Sequence, residues 1–198
     1  MAGLSGRIWL ISDTHFGHKN ISLFCGRPFE SVEEMNERLI RYWNNTVKSE
    51  DTILHLGDFA FFKKNGNELK EIVTQLNGNK ILIRGNHDHK SHSWFMKCGF
   101  SLSCEVLVIG EDVFTHYPVS ESFKQNFRFN FHGHHHQNIS KKYPESEGYV
   151  CVCVERTHYF PVLYDSEVER MLGRFGNVFP YHREPYPGIY ERGFEKEC

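Results

Sequence analysis

The stretch from Ile81 to Asp88 constrains the fold and the function of this chain more than any other. It begins with the apolar residues Ile81–Ile83, the pattern of a strand that is buried on both faces. After Gly85 it changes to Asn86–Asp88, whose amide, imidazole and carboxylate groups can each bind a metal ion or handle a proton. A packed core does not need these groups in succession, whereas a ligand site at the carboxyl edge of an α/β sheet does.

Two earlier apolar runs end in the same way. The run from Ile8 to Ser12 leads into Asp13-Thr14-His15, and the run from Ile53 to Leu56 leads into Gly57-Asp58. Because the carboxyl ends of parallel strands meet at one edge of a sheet, all three groups of polar side chains are expected to lie together there.

Amphipathic helices separate these three predicted strands. The first is expected from Ser31 to Val47, where Ser31 and Glu34 have the spacing of a capping box. The second is expected from Asn67 to Leu76, with Gly78 as its C-terminal stop. The order β-α-β-α-β predicts a parallel sheet with helices packed on it.

The second half of the chain predicts a second sheet. Alternating cysteine and valine make the run from Tyr149 to Glu155 apolar on both faces, which favours a strand covered on both sides and core positions for its two cysteines. The other expected elements are a helix over Ser91–Cys98, a hairpin of Glu105–Ile109 with Val113–His116, a strand over Phe127–Phe131 and a last helix over Asp165–Leu172. We expect one domain over residues 1–172. Residues 173–198, rich in Gly, Pro and aromatics, would form a wrapping tail, a partner-binding arm or a disordered end.

Composition narrows the function. Lys and Arg number 23 against 25 Asp and Glu, a net charge of −2, so a strong non-specific grip on DNA or anionic lipid is not expected. Eleven of the 13 histidines lie between His15 and His136, which favours a metal site over scattered surface histidines. Six cysteines form no paired framework, and we see no signal peptide or membrane-length apolar run. We expect a cytoplasmic protein with free thiols and no membrane association.

The polar strand ends form an ordered series of five blocks, which resembles the calcineurin-like metallophosphoesterase superfamily over about residues 8 to 160. A single block such as D-x-H is a weak signal, but five in order at the ends of predicted strands are a strong one. The blocks are D-x-H (Asp13, His15), G-D (Gly57, Asp58), G-N-H-D (Gly85, Asn86, His87, Asp88), a lone histidine (His116) and G-H-x-H (Gly133, His134, His136).

The resemblance implies an α/β fold, a four-layer α/β/β/α metallophosphatase sandwich with two mixed sheets. It also implies two divalent metal ions that share Asp58. One ion would be bound by Asp13, His15 and His136, and the other by Asn86, His116 and His134. Imidazole and oxygen ligands without thiolate suit Mn²⁺, which we expect, or Fe or Zn²⁺. Two such ions would lower the pKa of a bridging water and present hydroxide to phosphorus.

The resemblance also implies roles for residues that are not metal ligands. His87 resembles the catalytic histidine of the family, which stabilises the transition state or protonates the leaving oxygen. Asp88 is then expected to assist catalysis by orienting His87 or a ligand. His18 is expected at the substrate phosphate or, equally, on the surface. Arg27 is assigned to substrate binding as an anion clamp, with a structural salt bridge as the favoured alternative.

The expected function is metal-dependent hydrolysis of phosphoesters. The expected activity is that of a phosphodiesterase acting on nucleotide-type or other small phosphoesters. No stretch between the blocks is long enough for a cap domain, and this favours an open site. One alternative is a nuclease on single-stranded or terminal nucleic acid, so nucleic acid is a possible but not favoured partner. Another is a metal-binding scaffold without activity, which the intact blocks disfavour. For Phe59, Phe61 and Phe62, core packing is favoured over stacking on a base.

Overall fold

The computed structural model of the protein describes residues 6–61, 66–138 and 140–171. Helices and strands alternate in its first half, and strands dominate its second half. The elements are β1 (Ile8–Ile11), α1 (Ile21–Cys25), α2 (Val32–Thr46), β2 (Thr52–His55), α3 (Gly66–Gln75), β3 (Asn79–Ile83), α4 (His92–Lys97), β4 (Leu102–Cys104), β5 (Val106–Ile109), β6 (Asp112–Thr115), α5 (Glu121–Lys124), β7 (Asn130–His132), a 3-10 turn (Glu145–Glu147), β8 (Tyr149–Cys151), β9 (Val162–Leu163) and α6 (Tyr164–Met171).

The first sheet has the strand order β4-β3-β2-β1-β9. Strands β1 to β4 are parallel, and β9 adds an antiparallel edge. The register pairs Ile8 with Thr52 and Thr52 with Asn79, so the carboxyl ends of the three central strands are level. The predicted β-α-β-α-β unit is therefore confirmed, while β4 and β9, which are two or three residues long, were not predicted.

The second sheet has the strand order β5-β6-β7-β8, with the predicted hairpin of β5 and β6 followed by parallel pairing of β6, β7 and β8. Strand β7 begins at Asn130, three residues later than predicted from the aromatic alternation. The chain before it turns, because the Phe127 amide bonds the Lys124 carbonyl and the Arg128 guanidinium pairs with Asp112. The two sheets meet at an isolated bridge between Ser12 and Cys153.

Alternating residues of the first sheet face two different apolar layers. Trp9 and Ile11 pack with the helices α2, α3 and α4, where Trp43 is fully buried. Leu10 faces the opposite way, into a second cluster with Phe114 and other residues of the second sheet. Because side chains alternate between the two faces, the first sheet packs against the helices on one face and against the second sheet on the other.

The fourth layer is thin. On the outer face of the second sheet lie α5 and the chain around it, where the Lys124 ammonium donates to the carbonyls of Phe127 and Arg128. The same ammonium lies 5.8 Å from the Tyr149 ring centroid. The α/β/β/α class with two mixed sheets is confirmed, although α5 spans a single turn.

Local signals at the first long helix act as the sequence indicates. The Ser31 hydroxyl accepts from the amide of Glu34, and the Glu34 carboxylate accepts from the amide of Glu30. Cys151 and Cys153 are buried, as expected for small core residues. Within the described ranges, no helix is both long and apolar enough to cross a membrane. Residues 173–198, predicted as a separate extension, and Phe62 lie outside the described residues.

Candidate metal centre

The loops after β1, β2 and β3 meet the loops after β6 and β7 around the side chain of Asp58. Its Oδ2 atom lies 3.6 Å from His15 Nε2 and 3.5 Å from His116 Nε2. Two donor atoms that each bind one ion at about 2.1 Å are separated by roughly 3 to 4 Å. The carboxylate therefore lies within ion-sharing distance of an imidazole on each side.

Asp13, His15 and His136 form one side of the centre, here called the first half-site. Their ligand atoms cluster within 4.8 Å, and His136 Nε2 lies 3.8 Å from Asp13 Oδ1. His15 Nε2 is buried and has no hydrogen-bond partner among the residues that the structure describes. A buried nitrogen without a partner is costly in a protein but suits a lone pair that binds a cation. Burial, aided by the charge of Arg27, lowers the pKa of His15 and keeps its ring neutral.

Asn86, His116 and His134 form the other side, here called the second half-site. Asn86 Oδ1 lies 3.0 Å from His116 Nε2 and 3.2 Å from His134 Nδ1. His116 Nδ1 lies 2.8 Å from the Leu56 carbonyl, to which it donates, and this leaves the Nε2 lone pair directed at the centre. Burial and the neighbouring His116 lower the pKa of His134 to about 4, so the His134 imidazole can act as a neutral ligand.

The backbone at these residues is strained. Positive φ angles occur at five of the seven predicted ligands. Such conformations cost residues with a Cβ on the order of 1 kcal/mol each and concentrate at functional sites. The five are Asp13 (59°), His15 (50°), Asp58 (55°), His134 (70°) and His136 (50°).

Two glycines of the sequence blocks permit a close approach between loops. A Cβ on Gly85 would lie 2.5 Å from the backbone nitrogen of Asp58, and one on Gly133 would overlap the side chains of Ser12 and Asp13. Any side chain at these positions would push two ligand-bearing loops apart. The glycines in G-N-H-D and G-H-x-H are therefore explained by loop packing.

A buried ion pair lies behind the first half-site. Glu155 Oε1 is 3.0 Å from His136 Nδ1 and 2.7 Å from the guanidinium of Arg27. Arg27 is 4% exposed, and it also donates to the carbonyls of Asp13 and Thr14. The guanidinium is directed at protein groups and not at the open face of the site, which favours the structural salt bridge over the anion clamp.

Glu155 was not predicted as a site residue from the sequence. Its signal was the same one that marked the other blocks, a polar side chain at the end of the apolar run that begins at Tyr149. Glu155 fixes the ring of His136, because a carboxylate that accepts from Nδ1 leaves Nε2 free to bind an ion.

The carboxylate of Asp88 binds backbone amides. Asp88 is 4% exposed, and its carboxylate accepts from the amides of Gly85 and Asp58, both at 2.8 Å, and of Phe59 at 3.2 Å. Burial raises the pKa of Asp88 to about 7. Of the two expected roles, these contacts favour the orientation of the Asp58 loop over the orientation of His87.

His87 lies on the open side of the centre. Its side chain is 35% exposed, its Nε2 lies 3.9 Å from Asp58 Oδ2, and its backbone amide donates to Asp58 Oδ1 at 2.8 Å. His18 stacks on Phe61 nearby, at 4.5 Å between ring centroids. Phe59 is fully buried, in agreement with the core role, whereas Phe61 is 37% exposed beside His87 and does not belong to the core.

Comparison with known proteins identifies the family of the chain. The family model described as calcineurin-like phosphoesterase matches residues 6–166, which include every predicted ligand. The chain belongs to the calcineurin-like phosphoesterase family. An uncharacterised protein of Methanocaldococcus jannaschii is 40% identical over 167 residues, which span 82% of this chain and 90% of the relative. A gene 66 protein of Mycobacterium phage L5 is 33% identical over 82 residues, 40% of this chain and 39% of that protein.

A solved structure shares the fold. A protein of unknown function from Aquifex aeolicus superposes with a TM-score of 0.66 at 27% identity, covering 83% of this chain and 98% of that one. Proteins of the calcineurin-like family act on phosphoesters with divalent metal ions. The donors here suit such ions, because they are imidazole nitrogens and carboxylate or amide oxygens. In addition, His15 Nε2 is buried and has no hydrogen-bond partner in the described part of the chain.

Proposed function

We propose that this protein is a dinuclear metal-dependent phosphodiesterase that hydrolyses nucleotide-type or other small phosphoesters. The observation that carries the proposal is the position of Asp58 Oδ2, which lies within 3.6 Å of His15 Nε2 and of His116 Nε2. A carboxylate that lies between two sets of nitrogen and oxygen donors is the arrangement that allows two ions to share one ligand.

Asp13, His15 and His136 would hold one ion, Asn86, His116 and His134 the other, and Asp58 both. Imidazole and oxygen donors suit Mn²⁺, which is the ion that we propose. When bound, the ions would activate the attacking water and neutralise charge on the phosphoryl oxygens.

His87 performs the proton chemistry in this proposal. Its exposed ring lies beside Asp58 on the open side, where Nε2 can donate to the leaving ester oxygen. The amide of His87 and the carboxylate of Asp88 both hold the Asp58 loop, so the acid and the shared ligand keep a fixed separation. His18, half-buried between His15 and Phe61, is the proposed substrate contact on this side.

Space on both sides of the centre supports a diester. Next to the second half-site lies an open depression of about 440 Å³. Next to the first half-site, where the His87 ring centroid lies 5.2 Å from that of His15, lies the exposed ring of Phe61. A diester carries two ester arms, and a phosphate at the centre would have room for one on each side. Residues that line the depression include Arg84, Asn86, Glu105, Tyr117 and Pro118.

The test is hydrolysis by metal-stripped protein to which Mn²⁺ is returned. Bis-p-nitrophenyl phosphate and p-nitrophenyl phosphate serve as diester and monoester substrates. Asp58→Asn is the test variant, and Asp165→Asn, an exposed position on α6, is its matched control.

We expect metal-dependent cleavage that favours the diester, that is lost in Asp58→Asn and that is kept in Asp165→Asn. Preference for the monoester would overturn the diester assignment. Silence on both substrates, with two ions bound, would overturn the enzymatic proposal in favour of a metal-binding scaffold.

A further inference from the structure

Beside His87, a row of rings extends from the metal centre to the surface. The His87 ring centroid lies 5.2 Å from that of His15 and 5.9 Å from that of Phe61. Phe61 stacks on His18 at 4.5 Å with an interplanar angle of 28°, and His18 meets the edge of Phe24 at 6.1 Å. Phe61, His18 and Phe24 are called the aromatic row below.

Two of the three rings in the aromatic row, those of Phe24 and Phe61, are exposed to solvent. Phe24 is 65% exposed and its neighbour Leu23 is 82% exposed, although Ile21 of the same short helix α1 is buried. Isolated exposed apolar side chains are ordinary on protein surfaces. A contiguous group beside a catalytic centre instead marks a surface that is covered when a ligand binds.

The chemistry of the row selects a planar aromatic ligand. Its members present ring faces and edges, and none of its three side chains carries a permanent charge. An alkyl chain would gain only from the area it covers, whereas a flat ring also gains from offset stacking. Stacking of this kind is tolerant of base identity, because every nucleobase has a π-face.

We propose that the aromatic row binds a nucleobase carried on the substrate's ester arm that lies beside His87. The proposal rests on the proposed phosphoesterase function, because the phosphate of the same substrate must lie at the metal centre. A base is separated from its phosphate by one ribose, which suits a row that begins next to His87 and runs outward. It narrows the substrate class from small phosphoesters to nucleotide esters.

The experiment measures binding of 1,N6-ethenoadenosine 5′-monophosphate, whose fluorescence is quenched when its base stacks on a ring. The probe is mixed with Mn²⁺-loaded full-length protein, and the signal is read immediately after mixing. Wild-type protein should quench the probe, and Phe61→Leu, which keeps apolar bulk without a ring, should weaken its binding roughly tenfold or more. Phe61→Tyr should restore it.

Two controls separate stacking from a structural role. Inorganic phosphate should bind the wild type and Phe61→Leu equally in competition, because the phenyl ring of Phe61 has no group that binds phosphate. Phe123→Ala, which removes a 45% exposed ring on α5, should bind the probe like the wild type.

The outcomes distinguish this proposal from the proposed function. If the protein hydrolyses phosphodiesters but binds the probe no more tightly than phosphate, or equally in Phe61→Leu, the base-binding role falls and the function stands. If no phosphoester is cleaved yet the probe binds with ring-dependent quenching, the row stands and the enzymatic proposal falls.

Discussion

The two half-sites differ in burial and in what supports them. In the first, Asp13 and His15 are buried, and the ion pair of Glu155 with Arg27 lies directly behind His136. In the second, Asn86 and His134 are partly exposed, and Asn86 and His116 line the open depression. One side of the centre is thus built into the core, while the other borders solvent.

The two half-sites also differ in charge. Asp13 adds a carboxylate to the first half-site, and Glu155 behind it is balanced by Arg27. Apart from Asp58, the proposed ligands of the second half-site are an amide and two imidazoles, and none of them is a carboxylate. We expect the first half-site to bind its ion more tightly than the second. A chelator should therefore remove the ion of the second half-site before that of the first.

The largest expected effect comes from Asp58→Asn. This variant should weaken metal binding at both half-sites, because Asp58 is the ligand that they are proposed to share. Loss of the shared charge should lower kcat on a phosphodiester on the order of 10⁴-fold, since metal-derived stabilisation is worth several kcal/mol. Metal content, measured by mass spectrometry after dialysis, should fall at both half-sites. Retention of one tightly bound ion would show instead that the first half-site does not depend on the shared carboxylate.

The second-largest expected effect is a loss of turnover without a loss of metal. His87→Ala removes the proposed proton donor and should lower kcat by about 10²- to 10³-fold, within the range for general acid catalysis. Two ions per chain should still be bound, because the predicted ligands are unchanged. If metal content and kcat fall together, the imidazole of His87 is a ligand and not an acid.

The sequence allowed the fold and its blocks to be predicted because both depend on local patterns. Buried runs such as Ile81–Ile83 identify strands, and a polar residue after each run identifies the sheet edge. Short edges such as β9 could not be predicted, because two residues carry no periodicity. The start of β7 was predicted at Phe127 because a turn that packs on Asp112 imitates strand alternation.

Contacts over long sequence distances were the part of the site that could not be predicted. Arg27 and Glu155 are 128 residues apart, and only the folded chain shows that they pair behind His136. The same holds for Asp88, whose position in the G-N-H-D block is evident but whose three backbone partners are not. Local pattern therefore identified the block residues, while tertiary packing determines their surroundings.

A smaller effect would sharpen the difference between the half-sites. Glu155→Gln weakens the acceptor that orients His136, so it should lower metal affinity of the first half-site roughly 10- to 100-fold. The second half-site should be unaffected, because its His116 is oriented by the Leu56 carbonyl.

Mn²⁺ titration followed by calorimetry should resolve this as a shift in the tighter of two binding phases. Glu105→Gln is the matched control, since Glu105 is an exposed residue near the second half-site that pairs with Arg84. A shift in the weaker phase would reverse our assignment of the two affinities.

The smallest effect concerns the thiol that faces Asp13. Cys153 Sγ lies 3.1 Å from Asp13 Oδ2, and it is 3.3 Å from the sulfur of Cys151. A thiol is a weak donor, so Cys153→Ala should cost the tighter binding phase roughly 0.5 to 1 kcal/mol, a two- to fivefold change in the dissociation constant. Cys151→Ala removes the adjacent buried sulfur, which has no such contact with Asp13, and it should lower the melting temperature similarly without changing the metal affinity. Equal shifts of metal affinity in the two variants would mean that the cysteines support the first half-site through packing alone.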